Sequence, residues 1–213
     1  MEITYLGHSC FRIKGKENTV VIDPYDAKVG KKLSKQKCDI LLNSHDHFDH
    51  NFNEACSDYK MLIQNPGEYE ISGTFIYGFP TFHDDKGGQE RGKNIIFLIE
   101  IEDFTVLHLG DLGHDLSKEL LEKVGDVDVL MIPVGGNYTI DAKKAVNIIS
   151  QIEPRYVIPM HFKTAETASD IEIDTLDKFL DEMGVEDVSK EDKLSLTSRA
   201  NLPEEVQVVI LNS

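Results

Sequence analysis

An α/β fold, strand-rich blocks with covering helices, is predicted for this chain by three observations. Short apolar runs rich in Ile and Val recur at both ends of the sequence. Helical patterns with one apolar face interrupt them in the C-terminal half, as covering helices do. At 213 residues the chain is long enough to close one large core, and no internal repeat or low-complexity tract divides it. A single domain over residues 1–213 is expected.

The elements follow in order. Ile3–Leu6, Phe11–Ile13 and Thr19–Ile22 read as short strands, and Ile40–Leu42 as a buried one ending at Ser44. Thr74–Tyr77, Ile95–Ile101 and Thr105–Leu109 follow, the last two joined by a hairpin turn at Glu102-Asp103. Leu116–Val124 reads as a helix. Val127–Ile132 and Tyr156–Ile158 are apolar at nearly every position, the pattern of parallel strands covered on both faces. Between them, Asp141–Ile152 places Ala142, Ala145, Val146 and Ile149 on one helical face, with Thr139 or Asp141 available as its cap. Ile171–Met183 reads as a third helix, stopped by Gly184. The acidic Glu186–Ser198 stretch is expected to be a loop or small flap, and Val206–Leu211 a closing strand.

Composition bounds the partners. With 38 acidic against 22 basic residues the formal charge is −16, which repels long nucleic acid but leaves a small anionic substrate open. The basic stretch from Lys28 to Lys37 is read as a solvated face. No apolar run approaches the ~20 residues that span a bilayer, and no basic-then-apolar leader pattern opens the chain. Cys10, Cys38 and Cys56 show no metal or redox spacing, so reduced core thiols and a cytoplasmic location are expected.

The densest chemistry lies in His45-Asp46-His47-Phe48-Asp49-His50, immediately after the Ile40–Leu42 run. In extended backbone, residues two apart face the same way, so His45 and His47 can address one centre. Asp49 and His50 can address a neighbouring centre as the chain turns. Imidazole nitrogen and carboxylate oxygen together suit zinc, iron, manganese or cobalt. Farther on, His83 taken alone is an exposed residue of a polar, glycine-rich loop. Asp111 alone is a turn residue, and His161 alone ends a strand.

The motif matches the H-x-H-x-D-H signature, and the chain resembles the metallo-β-lactamase-fold hydrolases. That resemblance implies a four-layer αβ/βα sandwich of two mixed β-sheets flanked by helices. It also implies a dinuclear site. His45, His47 and His83 would hold one divalent ion and Asp49, His50 and His161 the other, with Asp111 bridging. Zinc is the first expectation for both ions, with manganese or iron as alternatives. The segments Ile3–Ser9, Val21–Pro24, Lys86–Gly92, Pro133–Thr139 and Ile158–Thr164 are similar to the small single-domain branch that includes the ascorbate-phosphate lactonase-like proteins.

From such a site the expected activity is hydrolysis of a small ester, lactone or phosphodiester by a dinuclear-site hydroxide. Asp49 is the expected catalytic carboxylate, one oxygen on a metal and the other orienting the nucleophile or returning a proton. Asp23, Asp46 and Asp84 are candidates for orienting the imidazoles. Asp111 stands where β-lactamases proper usually offer cysteine, position 47 is not the glutamate of the oxygen-reducing di-iron relatives, and added recognition regions have no room. His8 and His114 are weighed equally as substrate contacts and as turn histidines. Asn137, in the Gly135-Gly136-Asn137 loop, is a candidate donor to an oxyanion. The alternative is a non-enzymatic, metal-loaded ligand sensor or scaffold. Loss of a ligand would favour it, and all seven are present. Oligomeric state is open.

Overall fold

Alternation of buried and exposed side chains builds the first sheet. In β1 (Glu2–Gly7), Ile3, Tyr5 and Gly7 are buried while their neighbours are half-exposed. The first sheet continues through β2 (Cys10–Lys14) and β3 (Thr19–Ile22). The chain then makes β4 (Gln36–Lys37), β5 (Ile40–Leu42), β6 (Cys56–Ser57) and β7 (Met61–Ile63). The second half of the molecule adds β8 (Gly67–Ile71), β9 (Thr74–Phe82), β10 (Lys93–Ile101), β11 (Phe104–His108), β12 (Val129–Pro133) and β13 (Tyr156–Met160). Four two-residue strands close the chain: β14 (Lys190–Glu191), β15 (Leu194–Ser195), β16 (Gln207–Val208) and β17 (Ile210–Leu211). The computed structural model describes every residue except 187 and 189.

The strands form a six-stranded sheet, β15-β1-β2-β3-β5-β7, and a seven-stranded sheet, β16-β13-β12-β11-β10-β9-β8. Both are mixed. β1, β2 and β3 pair antiparallel and β3, β5 and β7 parallel. β8 to β11 pair antiparallel and β11, β12, β13 and β16 parallel. One apolar core joins Ile3, Phe11, Ile13, Val20, Ile22, Ile40 and Leu42 of the first sheet to the Ile95–Ile99 and Val129–Ile132 runs of the second.

Among the described residues three α-helices flank the sheets, α1 (Lys118–Val124), α2 (Ala142–Ile152) and α3 (Leu176–Met183). Asp141 is the N-cap of α2, accepting from Lys144 N–H at 2.9 Å. Ala142, Ala145, Ile148 and Ile149 are its buried residues. The other face of the first sheet has a different cover. Cys10, Val21 and Leu41 pack there against Tyr25, Val29, Leu33, Cys38, Ala55 and Cys56, contributed by loops, short 3-10 turns and the two-residue strand β6.

Several element boundaries differ from the sequence expectation. The segment from Ile171 to Thr175 is not helical, because its backbone is claimed elsewhere. Asp174 N–H donates to Gly135 O at 2.7 Å and Asp174 O accepts from Lys163 N–H at 2.8 Å, so α3 begins only after Thr175. Helix α1 begins at Lys118 because Ser117 caps it, accepting from Leu120 N–H. The closing strand is two, since Gln207 pairs with Tyr156 whereas Ile210 pairs with Lys190. Strands β7 and β8 were not anticipated. The expected flap contains β14 and β15, and residues 187 and 189 within it lie outside the described residues.

Leu42 is fully buried on the inner face of β5, directly before the histidine-rich loop. Leu42→Ala is expected to cost about 2–5 kcal/mol, as core leucine truncations do. Urea unfolding of metal-free protein checks this, and a loss below about 1 kcal/mol would contradict the packing described.

Candidate metal centre

The site lies where the parallel strands end. Asp23 follows β3, Ser44 and His45 follow β5, Asp111 follows β11 and His161 follows β13. Carboxyl ends of strands are where open α/β sheets place their ligands. His8 follows β1 and His83 follows β9, so both sheets contribute. Backbone bonds fasten the edges together, with His161 N–H donating to His8 O at 2.8 Å and Ile95 N–H to Ser44 O at 2.9 Å. His8, Asp23 and His161 all hold positive φ, at 55°, 49° and 53°. Left-handed backbone at non-glycine residues is costly and persists where the surroundings enforce it. Gly110, at φ 53°, needs its missing side chain, because a Cβ would fall 2.4 Å from Asn94 Oδ1 and 2.7 Å from Ser44 Cβ.

Asp111 is the hub. Its backbone N–H is held by Asn94 Oδ1 at 3.0 Å. Around its Oδ2 stand four imidazole Nε2 atoms, from His50 at 3.2 Å, His83 at 3.2 Å, His161 at 3.3 Å and His45 at 3.9 Å. The donor atoms fall into three groups, each within 4.8 Å internally: His45, His47 and His83; His8, Asp49, His50 and His161; and His45, His50 and Asp111. The structure thus brings together all seven residues singled out from sequence. His83 is 3% exposed, not the exposed loop residue its sequence context suggests, because β9 carries it inward and its N–H bonds Gly92 O.

A single carboxylate sets two of these imidazoles. Asp23, fully buried, accepts from Ser44 N–H (2.7 Å), Ser44 Oγ–H (2.6 Å) and His50 Nδ1–H (2.9 Å). An ionised carboxylate only accepts, so the Ser44 hydroxyl donates to it. The Ser44 oxygen is then the acceptor for His45 Nδ1–H, 2.9 Å away. Both rings therefore carry a proton on Nδ1 and turn Nε2 toward Asp111, where it offers a lone pair once any second proton has left. Those Nε2 atoms, with Asp111 Oδ1, are buried and make no hydrogen bond. Convergent buried lone pairs without donors fit a divalent cation, since leaving such atoms unsatisfied is otherwise costly.

Titration behaviour agrees. Burial would raise the Asp111 carboxyl, but His161 and His50 outweigh it and hold it well below the usual range. Asp49 behaves alike: burial opposes, while His50 and the His8 hydrogen bond hold it low. Burial pushes His45 and His47 down, so both stay neutral. His50 goes up, as Asp111, Asp49 and Asp23 overcome the opposing effect of burial.

The remaining candidates separate. His8 Nε2 lies 3.1 Å from Asp49 Oδ2, and its ring centroid 4.4 Å from that of His161, so it enters the site through Asp49. Burial, then His161, push it down to about 4, leaving a neutral ring whose Nε2–H donates to Asp49. His114 does not line the cavity. Its Nε2 accepts from Phe82 N–H at 3.1 Å and its Nδ1 donates to Asp115 O at 2.8 Å. Asn137 also turns away, its amide donating to Glu172 O at 2.7 Å. The expectation that Asn137 contacts substrate is corrected accordingly, and of the two readings weighed for His114 the structure favours the turn histidine. Asp46 bonds Asn51, and Asp84 accepts four backbone N–H groups of its own loop, so of the three acids Asp23 alone orients the site histidines. The site opens into a cavity of about 520 Å³ whose wall adds Phe48, Arg91, Tyr138, Asp170 and Ile171. Sequence reasoning noted the loops carrying Arg91 and Tyr138 but not these side chains.

Two outcomes are expected. Asp23→Asn, which cannot accept on both oxygens, should weaken zinc binding about 10–100-fold in chelator competition, and unchanged affinity would contradict the tautomer argument. Because the raised pKa of His50 keeps a proton on the metal-free site, cation uptake must expel it, so affinity rises with pH. Calorimetry in buffers of different ionisation enthalpy should register net proton release near neutrality; buffer-independent heats would contradict this.

Residues 2–161 match the beta-lactamase superfamily domain family. A Thermotoga maritima structure of the metallo-β-lactamase superfamily, provisionally described as a Zn-dependent hydrolase, superposes with a TM-score of 0.79 and 33% identity, covering 99% of this chain and 97% of that one. UPF0173 metal-dependent hydrolases from Pyrococcus horikoshii and Staphylothermus marinus are 27% and 29% identical, matching 77% and 76% of this chain and 85% and 83% of their own lengths. In fold, in the order of its histidines and carboxylates and in sequence, this chain belongs to the metallo-β-lactamase superfamily of metal-dependent hydrolases.

Proposed function

We propose that the chain is a one-domain hydrolase holding two divalent ions, zinc first among them, that cleaves a small ester, lactone or phosphodiester with water activated at the dinuclear centre. The observation that carries this reading is the set of imidazole lone pairs gathered around Asp111, with buried donor atoms left unbonded. His45, His47 and His83 would hold one ion, Asp49, His50 and His161 the other, and Asp111 both. When bound, the ions supply Lewis acidity toward the scissile group and acidify water near neutral pH.

The chain's own residues do the rest. Asp49 is 17% exposed and borders the cavity, so one oxygen can face a cation while the other faces the nucleophile and takes its proton. His8, donating to Asp49 Oδ2, fixes which oxygen does which. The cavity volume falls within the range of small-molecule sites. Among the described residues no helix is long and apolar enough to cross a membrane, and the three cysteines are free and buried, consistent with work in the reducing cytoplasm.

The direct test is a hydrolysis screen of lactones, sugar phosphates and cyclic nucleotides with protein reconstituted separately with zinc and manganese. Elemental analysis should find two ions per chain in wild type, and one or none would contradict the dinuclear reading. His83→Ala should retain the second ion but bind the first weakly. Asp49→Asn, with metal content measured on the same sample, should lower kcat by about two orders of magnitude with KM much less affected. Near-normal kcat at full occupancy would move the proton transfer to another group.

A further inference from the structure

Arg91 is the one lysine or arginine among the residues that line the cavity, whose wall also carries Asp46, Asp49, Asp111 and Asp170. None of those acids neutralises it: among the described residues no carboxylate lies within 4.0 Å of its guanidinium. The guanidinium lies 4.8 Å from the centroid of the Tyr138 ring, and its one hydrogen bond is a long 3.4 Å contact with Asn137 O. Stacking on an aromatic face immobilises the plane while leaving its edge donors open, and those donors match the paired oxygens of a carboxylate or phosphate.

The loop presenting Arg91 is held firmly. Asp84 accepts from Lys86 N–H (2.9 Å), Gly88 N–H (2.8 Å), Glu90 N–H (3.0 Å) and Arg91 N–H (2.8 Å). The loop is closed by His83 N–H donating to Gly92 O at 3.0 Å. His83, beside Asp111, and Arg91 therefore sit at the two ends of one clamped loop. A charge held in that way costs little further ordering when a ligand arrives. A merely structural arginine in a chain of net charge −16 has many acidic partners available, and this one is aimed into the cavity without any.

We propose that Arg91, backed by Tyr138, grips an oxyanionic group, carboxylate or phosphate, that the substrate carries away from its scissile bond. The substrate class is then an anionic ester or lactone, held at one end by Arg91 and at the other by the centre around Asp111. This rests on the hydrolase reading above. Its role is in binding and orientation, so it governs selectivity and not the chemical step.

The test compares two activated esters with one leaving group, neutral 4-nitrophenyl acetate and the carboxylate-bearing mono-4-nitrophenyl succinate, on zinc-reconstituted protein. Arg91→Gln should lower kcat/KM for the succinate ester roughly ten- to a hundredfold, chiefly through KM. It should leave the acetate ester and the zinc content unchanged, and Arg91→Lys should fall between. Equal loss on both esters, or none, overturns the proposal while leaving the hydrolase reading intact. A second readout does not need turnover. In metal-free protein labelled with ¹⁵N-arginine, the Arg91 Nε–H resonance, one of four arginine signals and identified by its loss in Arg91→Gln, should shift on titration with succinate or inorganic phosphate. The stronger of the two responses identifies the oxyanion. If neither ester is hydrolysed but the resonance shifts, the hydrolase reading fails on these probes and Arg91 keeps its role; if neither anion shifts it, Arg91 is not the grip.

Discussion

The buried carboxylate of Asp23 is the constraint on which the site depends. It lies at zero exposure, and burial by itself would favour the neutral acid. It stays ionised because His50, a Ser44 amide and a Ser44 hydroxyl all donate to it. That arrangement acts outward. One hydrogen bond fixes the orientation of His50 directly, and a relay through Ser44 fixes that of His45, so both imidazoles turn Nε2 toward Asp111. Replacing any member would leave an unpaired buried polar group, which in a dry site costs far more than the bond gained at the surface.

Topology supplies the second half of the argument. The donor residues come from four separate stretches of the chain, 45–50, 83, 111 and 161, yet all lie in loops at the ends of strands that two packed sheets bring to one edge. The cost is visible in the left-handed backbone of His8, Asp23 and His161. The shared core holds these ends against each other, and the His161 to His8 backbone bond joins the second sheet to the first. Strain at the site is thus offset by burial elsewhere, a division of labour expected where function requires poor local geometry.

Much of this was legible in the sequence because the informative residues are local or ordered. Five potential donors fall in the six residues after one apolar run, and the remaining three follow strand-like segments in the sequence order that the resemblance implies. The main strands and α2 were legible for the same reason, as their periodicity is strong. What failed is tertiary. The segment from Ile171 to Thr175 has a helical pattern, but Gly135 and Lys163 take its backbone bonds. Strand β8 alternates exposed Glu68 and Glu70 with half-buried Tyr69 and Ile71, but it is only five residues long, opens on Gly67 and buries no side chain fully, so its signal is weak. The cover of the first sheet comes from Tyr25, Val29, Leu33 and Ala55; the first three are four residues apart, yet their segment forms only the short 3-10 turn Ala27–Val29, and Ala55 comes from another turn. His114 and Asn137 carry suitable chemistry in suggestive loops, yet both His114 ring nitrogens and the Asn137 amide nitrogen are taken by backbone partners. Arg91 and Tyr138 face the cavity only because two distant loops meet.

The proposed arrangement places one carboxylate, Asp111, between two cation sites, each drawing ligands from both sheets. Anomalous diffraction at the zinc absorption edge from crystals grown with zinc tests it most directly. The account predicts two peaks per chain, one against His45, His47 and His83 and one against Asp49, His50 and His161, with Asp111 in contact with both. A single peak, or two peaks of which one does not touch Asp111, would contradict it.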